Sequence, residues 1–392
     1  MSGLNETPRA NRVHIAFFGK TNAGKSSAIN AITGQDIALV SDVAGTTTDP
    51  VYKAMELLPI GPVVFIDTAG LDDTTKLGEA RIKKTDEVVD KADIAVFVIR
   101  CGDTDLSVER GYMRRLKEKN TPVLVAYNIF EGKKACAAAP IGEKSVVINA
   151  KTGAGTQKLK QLIIDNAAQG EERSITGDMV SVGDVVMLVM PQDIQAPKGR
   201  LILPQVQVTR DLLDNGCRVV SVKTEDLTPM LGELKHPPKL VITDSQVFKY
   251  VNEHLSRDIP LTSFSMLMAK YKGDIEAFVK GARSIADLKS GDHVLIAESC
   301  THHAQKGDIA REKLPNWLNQ YAGGELVFEN TSGHGFPDDI EKYKVIVHCG
   351  GCMINRKNML SKIDEAKNAG VPITNFGVAI AFLNSMLDRV IW

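Results

Sequence analysis

The chain has 392 residues, more than a single hydrophobic core supports, so two or three domains are expected. Apolar residues make up 43% and charged residues 24%, with a formal net charge of −1; this excludes a disordered polyelectrolyte and gives no overall attraction to nucleic acid. The N-terminal MSGLNETPRANR lacks the apolar core of a signal peptide, and no run approaches the roughly 18 apolar residues of a membrane span, so a cytoplasmic protein without membrane or nucleic-acid partners is expected.

Apolar runs alternate with amphipathic stretches, the pattern of parallel α/β architecture. Strands are predicted at His14–Phe18, Val63–Asp67, Ile94–Ile99, Val123–Asn128 and Ser145–Ile148, with helices at Lys25–Ile32, Lys76–Lys91 and Gln157–Ala168. The polar stretch Gln169–Gly177 reads as a linker. A second unit has predicted strands at Val185–Met190, Cys217–Val222, Leu240–Ile242 and Leu261–Phe264, with helices at Pro204–Leu213 and Gln246–Leu255. A third has strands at His293–Ala297, Glu325–Glu329, Lys344–His348 and Pro372–Asn375, with helices at Arg311–Gln320, Asn355–Ala369 and Val378–Met386. The expected fold is therefore a P-loop NTPase domain over residues 1–170, followed by two α/β domains with largely parallel sheets over 178–270 and 271–392. No repeat of 20–50 residues is present.

Between the first strand and first helix lies Gly19-Lys20-Thr21-Asn22-Ala23-Gly24-Lys25-Ser26, followed by Ser27. Phosphate binding needs successive inward N–H groups, a helix N-terminus and a counter-charge, and this segment supplies all three. Lys25 can reach the β/γ-phosphates and Ser26 can ligate Mg²⁺. The strand–loop–helix setting disfavours a plain glycine-rich turn. Asp67-Thr68-Ala69-Gly70 closes a later strand, where Asp67 would hold Mg²⁺ through water and the Gly70 N–H would sense the γ-phosphate. Between them, Gly45-Thr46-Thr47-Thr48-Asp49 is a hydroxyl-rich loop able to place a threonine on the metal. The base-reading segment is Asn128-Ile129-Phe130-Glu131: Asn128 can read the base edge and Glu131 can accept from guanine, while Ile129 cannot stack as a lysine stem would. Asn149-Ala150-Lys151 offers backbone donors to guanine O6, so GTP and GDP are the expected nucleotides.

Six cysteines in so long a chain do not suggest a disulfide framework. Cys101, Cys136 and Cys217 stand alone and are expected to be side chains without chemistry. Cys300-Thr301-His302-His303 and His348-Cys349-Gly350-Gly351-Cys352 both follow predicted strands, at the edge where ligands gather in open parallel sheets. Three readings compete: a Cys₃His zinc site, an iron–sulfur cluster with a non-cysteine fourth ligand, and a thiol redox pair at Cys349 and Cys352.

Asn22 within the loop, the Gly-Thr-Thr of residues 45–47 and Asp67–Gly70 followed by Leu71 resemble the TrmE–Era class of GTPases. The resemblance implies that Thr47 ligates Mg²⁺, that Asn22 helps hold a K⁺ where an arginine finger would otherwise stand, and that Leu71 leaves no glutamine to orient water. Lys25, Asn22, Thr47, Asp67 and Gly70 are the implied catalytic set. With the CTHH and HCGGC segments added, the chain resembles the HydF family of FeFe-hydrogenase maturation GTPases along nearly its whole length. That resemblance implies a 4Fe–4S cluster on Cys300, Cys349 and Cys352, with His302 and His348 as metal-site residues that either ligate iron or adjoin it, and a homodimer. It also implies radical-SAM maturases and apo FeFe-hydrogenase as partners. The competing reading is an RNA- or ribosome-associated assembly GTPase with a structural zinc.

Overall fold

The structure, a computed structural model, describes residues 9–34, 50–72, 78–130, 144–167, 173–191, 201–299, 308–333 and 335–392. The chain separates into two units, 1–171 and 172–392.

The first unit runs β1 (Val13–Phe18), α1 (Lys25–Thr33), β2 (Val51–Leu57), β3 (Gly61–Asp67), α2 (Gly78–Val89), β4 (Ile94–Arg100), α3 (Ser107–Glu118), β5 (Val123–Asn128), β6 (Lys144–Ile148) and α4 (Thr156–Ala167). Its sheet has the order β2-β3-β1-β4-β5-β6. Every pairing is parallel except β2 with β3, which is antiparallel with Val51 opposite Asp67. The sequence reading missed β2 because VYKAMEL is a half-exposed edge strand rather than a continuous apolar run. It also missed α3, whose charged residues mask a buried stripe of Tyr112, Met113 and Leu116. Apolar cores fill both faces of the sheet, one around Phe18 and Phe97, the other around Phe17 and Phe65. Each fully buried aromatic contributes about 1.5–3 kcal/mol of transfer free energy.

The second unit contains β7 (Val185–Val189), α5 (Leu203–Asp214), β8 (Arg218–Val222), α6 (Leu227–Glu233), β9 (Leu240–Thr243), α7 (Phe248–His254), β10 (Leu261–Ser263) and α8 (Phe264–Lys272). It continues through α9 (Ile275–Arg283), β11 (His293–Glu298), α10 (Leu314–Ala322), β12 (Val327–Ser332), β13 (Val345–His348), α11 (Arg356–Asn368), β14 (Ile373–Asn375) and α12 (Phe376–Leu383). The strands form two four-stranded, wholly parallel sheets, β10-β9-β7-β8 and β12-β11-β13-β14. The two sheets share the same strand order. One core cluster, including Val189, Phe248, Phe278, Leu295 and Val378, runs through both. Two helices approach closely because they carry glycine: a Cβ on Gly281 would strike the Ile373 carbonyl, and one on Gly377 would strike Ser265.

Candidate functional site

The phosphate loop leaves β1 through Gly19 at φ 147° and enters α1 through Gly24 at φ 97°, with Asn22 also left-handed at φ 56°. The two glycines are required twice over, since a Cβ on Gly19 would strike the Val98 carbonyl and one on Gly24 the Asn128 amide. Lys25 is 7% exposed and donates 2.9 Å bonds to the carbonyls of Gly19 and Lys20. Burial pulls its ammonium down to about 8, with Asp67 and Asp72 opposing. Ser26 and Ser27 open α1, and the Ser26 hydroxyl donates to Asp67 Oδ2 at 2.5 Å. Asp67 is 3% exposed, and its Oδ1 has no hydrogen-bond partner among the described residues. Burial raises its pKa against the Ser26 bond and the charges of Lys25 and Lys53. An orphaned carboxylate oxygen beside a serine hydroxyl is the donor set a hard divalent cation takes, so these residues fit Mg²⁺.

Gly70 packs directly on Thr21, leaving no room for a Cβ, and the Leu71 N–H donates to the Gly19 carbonyl at 3.2 Å. Two residues not anticipated from sequence hold this arrangement. Asp72 Oδ1 accepts from the Thr21 N–H at 2.6 Å and from its hydroxyl at 2.8 Å; partial burial opposes ionisation, and these bonds keep the carboxyl below its ordinary range. Arg100 donates to the carbonyls of Thr21 (2.8 Å) and Asn22 (3.2 Å). A charged residue ending a buried strand was the signal available for Arg100. Lys20 donates to the Asp105 carbonyl at 2.5 Å.

At the base-reading edge, Asn128 is 2% exposed; its amide donates to the Ala23 carbonyl and accepts from the Ala150 N–H, both at 3.0 Å. Asn149 Oδ1 accepts from the N–H groups of Lys151 and Thr152 at 3.0 Å, shaping the turn. The loop Gly19–Ser27, Asp67, Gly70, Asn128, Ala150 and Lys151 thus belong to the C-terminal edge of one sheet. Thr47 and Glu131 lie outside the described residues.

In the other unit, β11 and β13 are parallel neighbours, with Ala297 opposite His348. Cys349 directly follows β13, and its N–H donates to the Ala297 carbonyl at 2.8 Å. Its sulfur accepts from the Ser299 N–H at 3.3 Å. Neither Cys349 nor Cys352 is in a disulfide, and Cys352 is exposed. Its thiol is pushed up by desolvation and by Cys349, with Lys272 opposing. Gly351 turns at φ 61° between them. His348 is fully buried, with Nε2 bonded to the Ser299 hydroxyl (3.1 Å) and Nδ1 placed 2.7 Å from the Cys349 carbonyl. Both ring nitrogens of His348 are thus bonded within the cysteine loop and to Ser299. Cys300, His302, His303 and Cys136 lie outside the described residues, and among the described residues no three Cys, His, Asp or Glu side chains gather as a metal site. Cys101, expected to carry no chemistry, is disulfide-bonded.

Residues 276–392 match the family described as Hydrogen maturase F tetramerization domain, and residues 175–273 match the Hydrogen maturase F dimerization domain. Residues 14–129 match the family described as 50S ribosome-binding GTPase. The chain belongs to the hydrogen maturase F (HydF) family. Its N-terminal domain is a GTPase domain of the TrmE–Era class. This domain is 34% identical over 166 residues to the tRNA modification GTPase MnmE of Laribacter hongkongensis (42% of this chain, 37% of the relative). It is 31% identical over 164 residues to MnmE of Aquifex aeolicus (42% and 36%). The chain therefore spans little more than a third of the length of these curated relatives. Among solved structures, a single-residue variant of Aquifex aeolicus Era bound to GDP·AlF₄⁻ is similar at 18% identity and TM-score 0.35, covering 62% of this chain and 97% of that one. In HydF terms, the cysteine loop lies in the tetramerization segment, and α8 closes the dimerization segment. Among the described residues no helix is long and apolar enough to cross a membrane.

Proposed function

We propose that the chain is a Mg²⁺-dependent GTP hydrolase and an iron–sulfur scaffold that carries a di-iron precursor to apo FeFe-hydrogenase. The observation that carries this reading is the union, in one chain, of a GTPase domain, two hydrogen maturase F segments and two cysteines outside any disulfide in the loop that follows β13.

Ser26 and Asp67 would hold Mg²⁺, with Thr47 joining them, and the ion would neutralise charge on the β- and γ-phosphates. Lys25 exchanges the Gly19 and Lys20 carbonyls for phosphate oxygens. The Gly70 N–H reads the γ-phosphate. Leu71 is buried and apolar, so it cannot orient water; Asn22, exposed at the crest of the loop, holds a K⁺ that supplies the missing positive charge. Asn128 fixes the geometry of the base pocket, while Ala150, Lys151 and Glu131 contact guanine.

Cys300, Cys349 and Cys352 would bind the 4Fe–4S cluster, which supplies an exchangeable iron site for the di-iron cargo. The Ser299 N–H bonded to the Cys349 sulfur favours the thiolate form that such ligation needs. Radical-SAM maturases load the cargo, and GTP hydrolysis gates partner exchange. The hydrogen maturase F segments favour a homo-oligomer, a dimer or a dimer of dimers. Anaerobic purification with iron and sulfide analysis and EPR of the reduced protein tests this. Matched iron and sulfide with a reduced-cluster signal are expected. A colourless protein with one tight zinc and no iron after reconstitution overturns the reading in favour of an assembly GTPase with a structural zinc.

A further inference from the structure

Lys272, the last residue of α8, is only 3% exposed. Its ammonium donates to three backbone carbonyls, those of Gly351 (3.1 Å), Cys352 (3.2 Å) and Ile354 (3.2 Å). A lysine has three donors, so this loop satisfies it completely. No carboxylate pairs with it among the described residues; burial pulls its ammonium down to about 8, with the Cys352 and Cys349 sulfurs opposing. A buried cation without an anion is costly, and three carbonyls supply dipoles but no charge. Thiolates of the cysteine loop, once they ligate an ion, would be the missing counter-charge. The contact is reciprocal: Arg356, at the start of α11, donates to the carbonyls of Tyr271 (2.8 Å) and Gly273 (2.7 Å), at the end of α8.

We propose that Lys272 is the positioning residue of the cysteine site: it folds Gly351–Ile354 around its ammonium so that Cys349 and Cys352 face one ion, and it supplies the fixed positive charge that offsets their thiolates. It thereby joins the dimerization segment to the cysteine loop. The inference rests on the reading of Cys349 and Cys352 as metal ligands, and extends it to a residue outside the cysteine motifs.

The test uses the full chain, prepared anaerobically, as wild type, K272R, K272Q and K272M. Co²⁺ is titrated by its thiolate charge-transfer absorption, and the midpoint potential is measured after reconstitution with iron and sulfide. K272Q and K272M are expected to weaken Co²⁺ binding by about 10–100-fold, the usual effect of removing a group that orients metal ligands. K272R restores most of that affinity. Where a cluster forms, K272Q gives a more negative potential than wild type, because the reduced cluster has lost a nearby cation, and K272R returns it; a purely structural lysine would not produce that pattern. Folded K272Q with wild-type Co²⁺ affinity and potential overturns the assignment, and this comparison decides it even if K272M does not fold. If wild type takes up no iron–sulfur cluster while K272Q still weakens Co²⁺, the cluster reading fails and the role of Lys272 stands.

Discussion

Lys25, the proposed phosphate-binding residue, is held in place before any ligand arrives. Burial holds its ammonium near a pKa of about 8, well below an exposed lysine, while two loop carbonyls keep it in place. Bound phosphates favour the protonated form, so binding takes up a proton once the pH exceeds that value. Nucleotide affinity, measured by calorimetry, is therefore expected to be flat below pH 8 and to fall up to tenfold per pH unit above it. Linkage to folding has the opposite sign: the unfolded lysine titrates near 10.5, so the nucleotide-free domain gains stability between about pH 8 and 10.5 as the cost of the buried charge is relieved. Asn22 supports a second expectation, since its left-handed backbone is fixed from below by Arg100. Turnover should be faster in K⁺ than in Na⁺, and N22A should remove that difference. Equal wild-type rates in both salts would sink the cation role. The grouping of Lys25, Ser26 and Asp67 was legible in the sequence because a strand–loop–helix motif constrains both residue type and spacing. Asp72 and Arg100 were not legible, because their partners are backbone atoms distant in the chain.

At the scale of elements, the ends of β1, β3, β5 and β6 make one edge, and Asn128 ties it together by joining Ala23 to Ala150. Replacing Asn128 with alanine leaves a buried N–H and a buried carbonyl unsatisfied, at about 1–3 kcal/mol each. N128A is expected to lower the unfolding free energy of the GTPase domain by about 2–4 kcal/mol in a denaturant titration and to weaken GDP binding as well. An unchanged midpoint would show that neither bond matters. Strand positions were readable wherever an apolar run is buried on both faces, as in β4, where the reading of Ile94–Ile99 differs from the observed strand by one residue. The boundary drifted where the strand is exposed, Glu325–Glu329 becoming Val327–Ser332; the helix read at Arg311–Gln320 begins as a π-helical turn, Ile309–Lys313, that runs into α10. The helix α8 was missed because its residues are buried nearly all round and give no helical period; α9 was missed although it is amphipathic.

The whole chain comprises two units, each with its own cores. A fragment of residues 172–392 is therefore expected to fold alone, to keep the oligomeric state of the full chain in light scattering, and to bind Co²⁺ through Cys349 and Cys352. A monomeric, unfolded fragment would contradict that independence. The matching strand orders of the two four-stranded sheets carry a further consequence. Gly183-Asp184 and Gly291-Asp292 precede the first strand of each sheet, and each aspartate accepts a 2.8 Å bond from the N–H three residues earlier, Ser181 or Lys289. Pro260-Leu261-Thr262-Ser263-Phe264 and Pro372-Ile373-Thr374-Asn375-Phe376 end the fourth strands, and Ser263 and Asn375 each cap the helix that follows. The unit uses one strand frame twice in tandem, at a spacing beyond that of short solenoid repeats. The exit of the third strand bears Asp244 in the first copy and Cys349 in the second. The cysteine loop thus occupies a strand exit that the matching frame provides without a thiol.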